Sequence, residues 1–182
     1  MVWNLPNTLT AARIVLIPVF IGLFYLPGRW GSILSTAFFG LAALTDWADG
    51  YVARTRGLQT PFGKFFDPVA DKLLVVSALF LLVAYDRAPF LLGLIIIARE
   101  IVIMALREYM AGFGHPIHVS RVGKWKTGFQ MSAILMLLVQ EGLWDIPFQL
   151  PGLICLYIST ILTVYSGYLY MASAWPVIRD MD

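Results

Sequence analysis

Six apolar runs, most of them about as long as a bilayer core is thick, are separated by only a few polar residues apiece. Crossing the hydrocarbon takes roughly 20 apolar residues in a helix. The runs cover residues 9–26, 32–52, 63–84, 89–113, 128–141 with a short upstream extension, and 150–174. Between them fall Pro27-Gly28, Arg56-Gly57, Asp86-Arg87, the stretch from Gly112 to His118, and Asp145 to Pro147, all of them turn-forming combinations. The pattern predicts an all-α membrane protein, a bundle of about six transmembrane helices in which residues 1–182 form a single domain.

Composition agrees. Of the 182 residues, 59% are hydrophobic and 13% charged, and the mean hydropathy is +0.77. A soluble domain carries about 25% charged residues, so much of this surface has to face something other than water. No repeat, low-complexity stretch or linker interrupts the runs. The net charge of +2 gives a nucleic-acid partner no support. Cys155 is the single cysteine and lies in an apolar run, which excludes an intrachain disulfide and reads as ordinary packing. The first residues, Met1 to Asn7, lack the basic leader of a cleavable signal, so the chain is expected to begin as the mature protein does.

Cations set the expected orientation. Arg54, Arg56, Lys64 and Lys72 surround the second connection, and Arg107, Arg121, Lys124 and Lys126 the fourth, with Arg13 and Arg179 near the chain ends. The opposite side has Arg29 and Arg87. By the positive-inside rule both termini are expected to be cytoplasmic in a multi-pass membrane protein. Trp3, Trp30, Trp144 and Trp175 fall at run ends, where interfacial anchoring is the ordinary reading.

Against that apolar background stand four aspartates. Asp46 and Asp49 lie near the end of the second run, Asp67 and Asp71 near the start of the third. An ionised carboxylate at the centre of a membrane helix costs about 2.5–3.5 kcal/mol on insertion scales. Spacings of three and four place each pair on one helical face, and the short connection turns the faces toward each other. Lys72 and Arg54 cannot neutralise four acids. Two hard divalent cations can, through oxygen ligands, with Mg²⁺ or Mn²⁺ the expected ions. Asp67-Pro68 also suits a helix start. Gly50 and Ala53 leave a face almost free of side chain, which serves close helix packing and equally the approach of a flat ligand. Arg54 stands where it can grip a phosphate, and Gly63 does for the facing helix what Gly50 does for its own.

Written as one string, Asp46-x-x-Asp49-Gly50-x-x-Ala53-Arg54, eight residues, Gly63-x-x-x-Asp67-x-x-x-Asp71 fixes eight residues over 26 positions. It resembles the signature of the CDP-alcohol phosphatidyltransferase family position for position, and the chain's size and layout are like that family's. The resemblance implies a metal-dependent transferase in which Asp46, Asp49, Asp67 and Asp71 hold two divalent cations. Asp71 acts in addition as the general base, and Asp46, Asp49, Gly50, Ala53, Arg54 and Gly63 meet the CDP-lipid. Asn7 and Thr10 are expected to line the nucleotide pocket. Family members resemble homodimers.

The acceptor alcohol has to be read elsewhere. Arg99-Glu100 and Arg107-Glu108 recur at a spacing of eight, roughly on one helical face. A buried ion pair that supports packing is the ordinary reading of Arg99 and Glu100. The next connection holds Arg121, Lys124 and Lys126, suited either to topology or to anionic headgroups. A phosphorylated acceptor carries about two negative charges and is well served by convergent cations. Arg107, Arg121, Lys124 and Lys126 are therefore the expected acceptor-phosphate ligands.

The run from Asn4 to Arg13, the Ala98-Arg99-Glu100 and Leu106-Arg107-Glu108 triplets, and Gly123-Lys124-Trp125-Lys126-Thr127 with Gln130 resemble those family members that accept glycerol 3-phosphate. The implied reaction moves a phosphatidyl group from CDP-diacylglycerol to glycerol 3-phosphate, giving phosphatidylglycerophosphate and CMP in anionic phospholipid synthesis. His115 and His118 lie away from the aspartates and read as solvated or capping groups.

Three alternatives use similar residues. One is the same transferase acting on another alcohol, as in cardiolipin, phosphatidylserine or phosphatidylinositol-phosphate synthesis. Another is an intramembrane prenyltransferase, whose aspartate motifs stand much farther apart in sequence. The third is a divalent-cation transporter, which favours internal repeats and midplane sites; here the acids cluster at one face.

Overall fold

The computed structural model describes residues 5–56, 61–115, 120–139 and 147–179, and leaves the side chains at 5–11, 13, 46–56 and 61–67 outside that description. Among the described residues there are six helices and no strand. They are α1 (Leu5–Phe24), α2 (Arg29–Arg56), α3 (Pro61–Ala84), α4 (Phe90–Gly112), α5 (Arg121–Val139) and α6 (Gln149–Arg179).

Each expected run has its helix, and the differences fall at the ends. The helix start expected at Asp67-Pro68 is corrected: α3 begins at Pro61, and Pro68 lies inside it. Pro61 supplies the preset φ that favours a first turn, whereas Pro68 removes one backbone bond from the interior of the helix. Helix α5 begins at Arg121, well upstream of residue 128. Its first two turns are cationic and therefore silent to a reading of apolar periodicity.

The helix ends obey local chemistry. Between α1 and α2, Gly28 has φ +71°, and a Cβ on Gly31 would stand 2.2 Å from the Leu26 carbonyl oxygen. Only glycine fits that approach. At the end of α3, Asp86 adopts φ +56°; its N–H donates to Val83 O (3.1 Å) while Arg87 N–H donates to Leu82 O (2.8 Å). That pair of bonds is a Schellman closure. Gly114, at φ +80°, ends α4 the same way: its own N–H donates to Ala111 O, and that of His115 to Met110 O, both at 3.0 Å.

Going round the bundle, the helices adjoin in the order α1, α3, α4, α6, α5, α2, and α3 also touches α5 and α2 across the middle. The core gathers Phe20, Phe39, Leu79, Leu82, Ile134 and Leu137, all fully buried. Helices α5 and α6 make the most extensive pair. Gly152 permits their approach, since a Cβ there would lie 2.9 Å from Leu137 Cγ. Small residues at a helix crossing allow dense packing where dispersion rather than water exclusion holds helices together. Cys155 is half-buried against this core.

Polarity divides the bundle along its length. The apolar core fills the part of α3 from Leu74 onward, while Asp71 and Lys72 precede it. Outward faces are apolar as well: Leu41, Phe80, Phe90, Ile101, Ile161 and Tyr168 are all exposed. Among the described residues, α6 is the one helix long and apolar enough by itself to cross a membrane. Helices α3 and α4 carry Asp71, Lys72, Arg99 and Glu100 within their length, and those charges lower their apolar character.

Candidate active site

The motif aspartates sit on adjoining helices, Asp46 and Asp49 on α2, Asp67 and Asp71 on α3. The side chains of Asp46, Asp49 and Asp67 lie outside the described residues, as do those of Asn7, Thr10, Gly50, Ala53, Arg54 and Gly63. Asp71 is described. It is half-buried, and its Oδ2 is 3.3 Å from Lys72 Nζ.

From Lys72 a chain of charge runs into the bundle. Its ammonium lies 2.5 Å from Oε2 of Glu100 on α4. The other carboxylate oxygen, Oε1, accepts from Arg99 Nη1 at 2.9 Å and from Lys126 Nζ on α5. One carboxylate thus gathers three cations from three helices. Arg99 continues outward: Nη2 donates to Ser166 Oγ of α6 (2.9 Å), and the guanidinium lies over the Tyr170 ring, 5.5 Å from its centroid. The Tyr170 hydroxyl in turn accepts from the Ser120 N–H (3.1 Å) just ahead of α5. Gly167 makes room for the arginine stem, a Cβ there falling 3.3 Å from Arg99 Cγ.

Burial explains why the network is so dense. The side chains of Glu100 and Lys126 are 2% and 3% exposed. An unpaired ion at such a site costs several kcal/mol, so buried charges persist with partners. Contact puts the groups at one depth: Lys72, next to Asp71, and Lys126 meet the same Glu100 carboxylate. Gln130, one turn further along α5, is buried with its Oε1 unpartnered among the described residues.

Of the expected acceptor-phosphate residues, only Lys126 joins this network. Arg107, Arg121 and Lys124 are exposed. The shared face expected for Arg99 and Arg107 is not realised: eight residues leave an angular offset of about 80°, and Arg99 turns inward while Arg107 is exposed. The buried ion pair read for Arg99 and Glu100 is present, enlarged by two lysines. Lys72 and Glu100 are the site residues that sequence reasoning undervalued. Their signal was there, a charged pair (Arg99-Glu100) set in an apolar run and a lysine next to a motif aspartate. His115 is exposed, and His118 lies outside the described residues.

Among the described residues no three His, Cys, Asp or Glu side chains gather, three of the four motif aspartates being outside them. The donor set itself suits hard cations: carboxylates at spacings of three and four on two touching helices, the only described one of them half-buried at the edge of the cation network.

Such a bundle, apolar outward and charged within at the depth of a motif aspartate, defines a class: helical proteins that present a polar site inside an apolar shell. Residues 3–169 match the family model described as CDP-alcohol phosphatidyltransferase. The chain belongs to the CDP-alcohol phosphatidyltransferase family. It is 44% identical to a Pseudomonas fluorescens protein over 181 residues, covering 97% of this chain and 92% of that one. It is 43% identical to a Haemophilus influenzae protein over 184 residues (99% and 98%). A Bacillus subtilis protein is 38% identical over 196 residues (99% and 100%). All three are named CDP-diacylglycerol–glycerol-3-phosphate 3-phosphatidyltransferase.

Proposed function

We propose that this chain transfers the phosphatidyl group of CDP-diacylglycerol to glycerol 3-phosphate, giving phosphatidylglycerophosphate and CMP. The observation that carries the reading is full-length similarity to three relatives bearing that activity in their names. The complete eight-residue motif on α2 and α3 supports it.

In this reading Asp46, Asp49, Asp67 and Asp71 hold two divalent cations, Mg²⁺ or Mn²⁺. When bound, such ions neutralise charge developing on the diphosphate and ease departure of CMP. Gly50, Ala53, Arg54 and Gly63, with Asn7 and Thr10, receive the CDP part of the lipid. Asp71 takes the proton from the acceptor hydroxyl as that oxygen attacks phosphorus. Arg107, Arg121, Lys124 and Lys126 hold the acceptor's phosphate. An ammonium has three donors, so Lys126 keeps two for phosphate while it bonds to Glu100.

The bundle spans the inner membrane several times with both termini cytoplasmic, so that the site opens to the side where soluble glycerol 3-phosphate is found. Exposed Leu41, Phe80, Phe90 and Ile161 support a lipid surround, because large apolar side chains turned outward on four helices suit hydrocarbon better than water. Two copies associate as a homodimer.

The test is CMP release by purified protein supplied with CDP-diacylglycerol and a panel of alcohols. Stimulation by glycerol 3-phosphate alone is expected. Release that depends instead on serine, inositol phosphate or phosphatidylglycerol would replace this reading with another member of the family.

A further inference from the structure

Lys72 is shared unequally between two carboxylates. Its Nζ lies 2.5 Å from Glu100 Oε2 and 3.3 Å from Asp71 Oδ2. The nearer partner is the one that takes no part in the motif. Glu100 is moreover fixed in orientation, because Arg99 and Lys126 both occupy Oε1 and leave Oε2 facing Lys72. Arg99 is itself anchored to Ser166 and Tyr170 on α6. The carboxylate therefore has little freedom to follow Lys72 should the lysine move.

We propose that Glu100 is a positioning residue for the transfer: it draws the Lys72 ammonium away from Asp71 and so keeps the Asp71 carboxylate from closing into a tight ion pair. The inference rests on the functional reading above, in which Asp71 must present an oxygen to the acceptor hydroxyl. Lys72 is adjacent to Asp71 in the chain and has a long, flexible stem. Among the described residues, the acid left to it without Glu100 is Asp71. A carboxylate closed onto an ammonium has an oxygen committed and is less available to substrate. Glu100 acts on Asp71 through Lys72, by the Oε2 contact, while its Oε1 holds Arg99 and Lys126.

The experiment compares Glu100→Gln, and Glu100→Gln combined with Lys72→Met, by steady-state CMP release. Folding is followed by thermal unfolding and size-exclusion elution in detergent. Glu100→Gln is expected to lower kcat roughly tenfold, a part of the about hundredfold to ten-thousandfold that a general base contributes, with KM for CDP-diacylglycerol changed less than about twofold. Adding Lys72→Met is expected to restore kcat severalfold, because the competing ammonium is gone. A merely structural Glu100 predicts the opposite, a second loss from a second deletion in the same network. If Glu100→Gln does not fold, Glu100→Asp carries the same test, since it keeps the charge but shortens the reach. Wild-type kcat in a folded Glu100 variant, or a loss that Lys72→Met leaves unrelieved, overturns the proposal. Wild-type protein that releases no CMP with glycerol 3-phosphate overturns the functional reading itself.

Discussion

Lys126 of α5 donates to Glu100 of α4 in the bundle interior, although the backbones of these two helices do not adjoin. The pair spans the space between them, and Lys72 joins it from α3. A buried carboxylate serves here as the common anchor for three helices. Such an anchor adds little net stability, because the Coulomb gain is offset by desolvation on both sides, yet removing one partner leaves a buried charge unpaired.

Removing the two ends of the pair should therefore have unequal effects. Glu100→Ala leaves Lys72, Arg99 and Lys126 facing one another and is expected to cost about 3–5 kcal/mol, the range for an uncompensated buried charge. Lys126→Met leaves Glu100 with two cations and is expected to cost about 1.5–3 kcal/mol, the range for one charged hydrogen bond. Thermal unfolding in detergent orders the two variants. A Lys126→Met protein less stable than Glu100→Ala would mean that Glu100 is not the hub.

How much of this was legible in the residues depends on which force shaped each element. Apolar runs announced all six helices, because these helices carry apolar side chains both in the core and on their outward faces. Turn chemistry at Pro27-Gly28 and at Gly114 was readable for the same local reason. The start of α5 was not. Its first two turns hold Arg121, Lys124 and Lys126, and nothing in their spacing shows that Lys126 turns inward to an acid 26 residues away. Pro68 misled because a proline that suits a first turn is also tolerated within a helix whose neighbours pack around it. The motif aspartates were legible as a set, since spacings of three and four are a helical property. The pull of Glu100 on Lys72 was not legible, because it arises from the order in which helices adjoin, and a linear pattern does not carry that order.

Chelation tests the carboxylate set as a whole. EDTA is expected to stop CMP release, and Mg²⁺ or Mn²⁺ added in excess to restore it, because four carboxylates on two touching helices repel one another without counter-charge. Undiminished release in EDTA would remove the metals from the mechanism and leave the acids to be explained by cations of the protein itself.

Asp71 is expected to separate binding from turnover. Asp71→Asn keeps the volume of the side chain and loses its ability to accept a proton. CMP release should fall by about two to four orders of magnitude, the usual contribution of a general base. Binding of the CDP-lipid, measured by equilibrium titration, should change little. Normal turnover in this variant would mean that another group receives the proton.

Lys124 tests how the acceptor is held. It is exposed, two residues from a lysine that is committed to Glu100, so its charge can be removed without breaking the buried network. Lys124→Ala should leave folding unchanged, because surface substitutions away from such features usually move stability by less than about 0.5 kcal/mol. Loss of one charged hydrogen bond to a phosphate, worth about 1.5–3 kcal/mol, should raise KM for glycerol 3-phosphate by roughly tenfold to a hundredfold. KM for CDP-diacylglycerol should stay within about twofold. The comparison depends on the charge and not on bulk, so Lys124→Arg should retain most of the affinity while Lys124→Met behaves like alanine. A larger effect on the CDP-lipid than on glycerol 3-phosphate would move Lys124 from the acceptor's phosphate to the donor's diphosphate, and Arg107 and Arg121 would then be left to bind the acceptor.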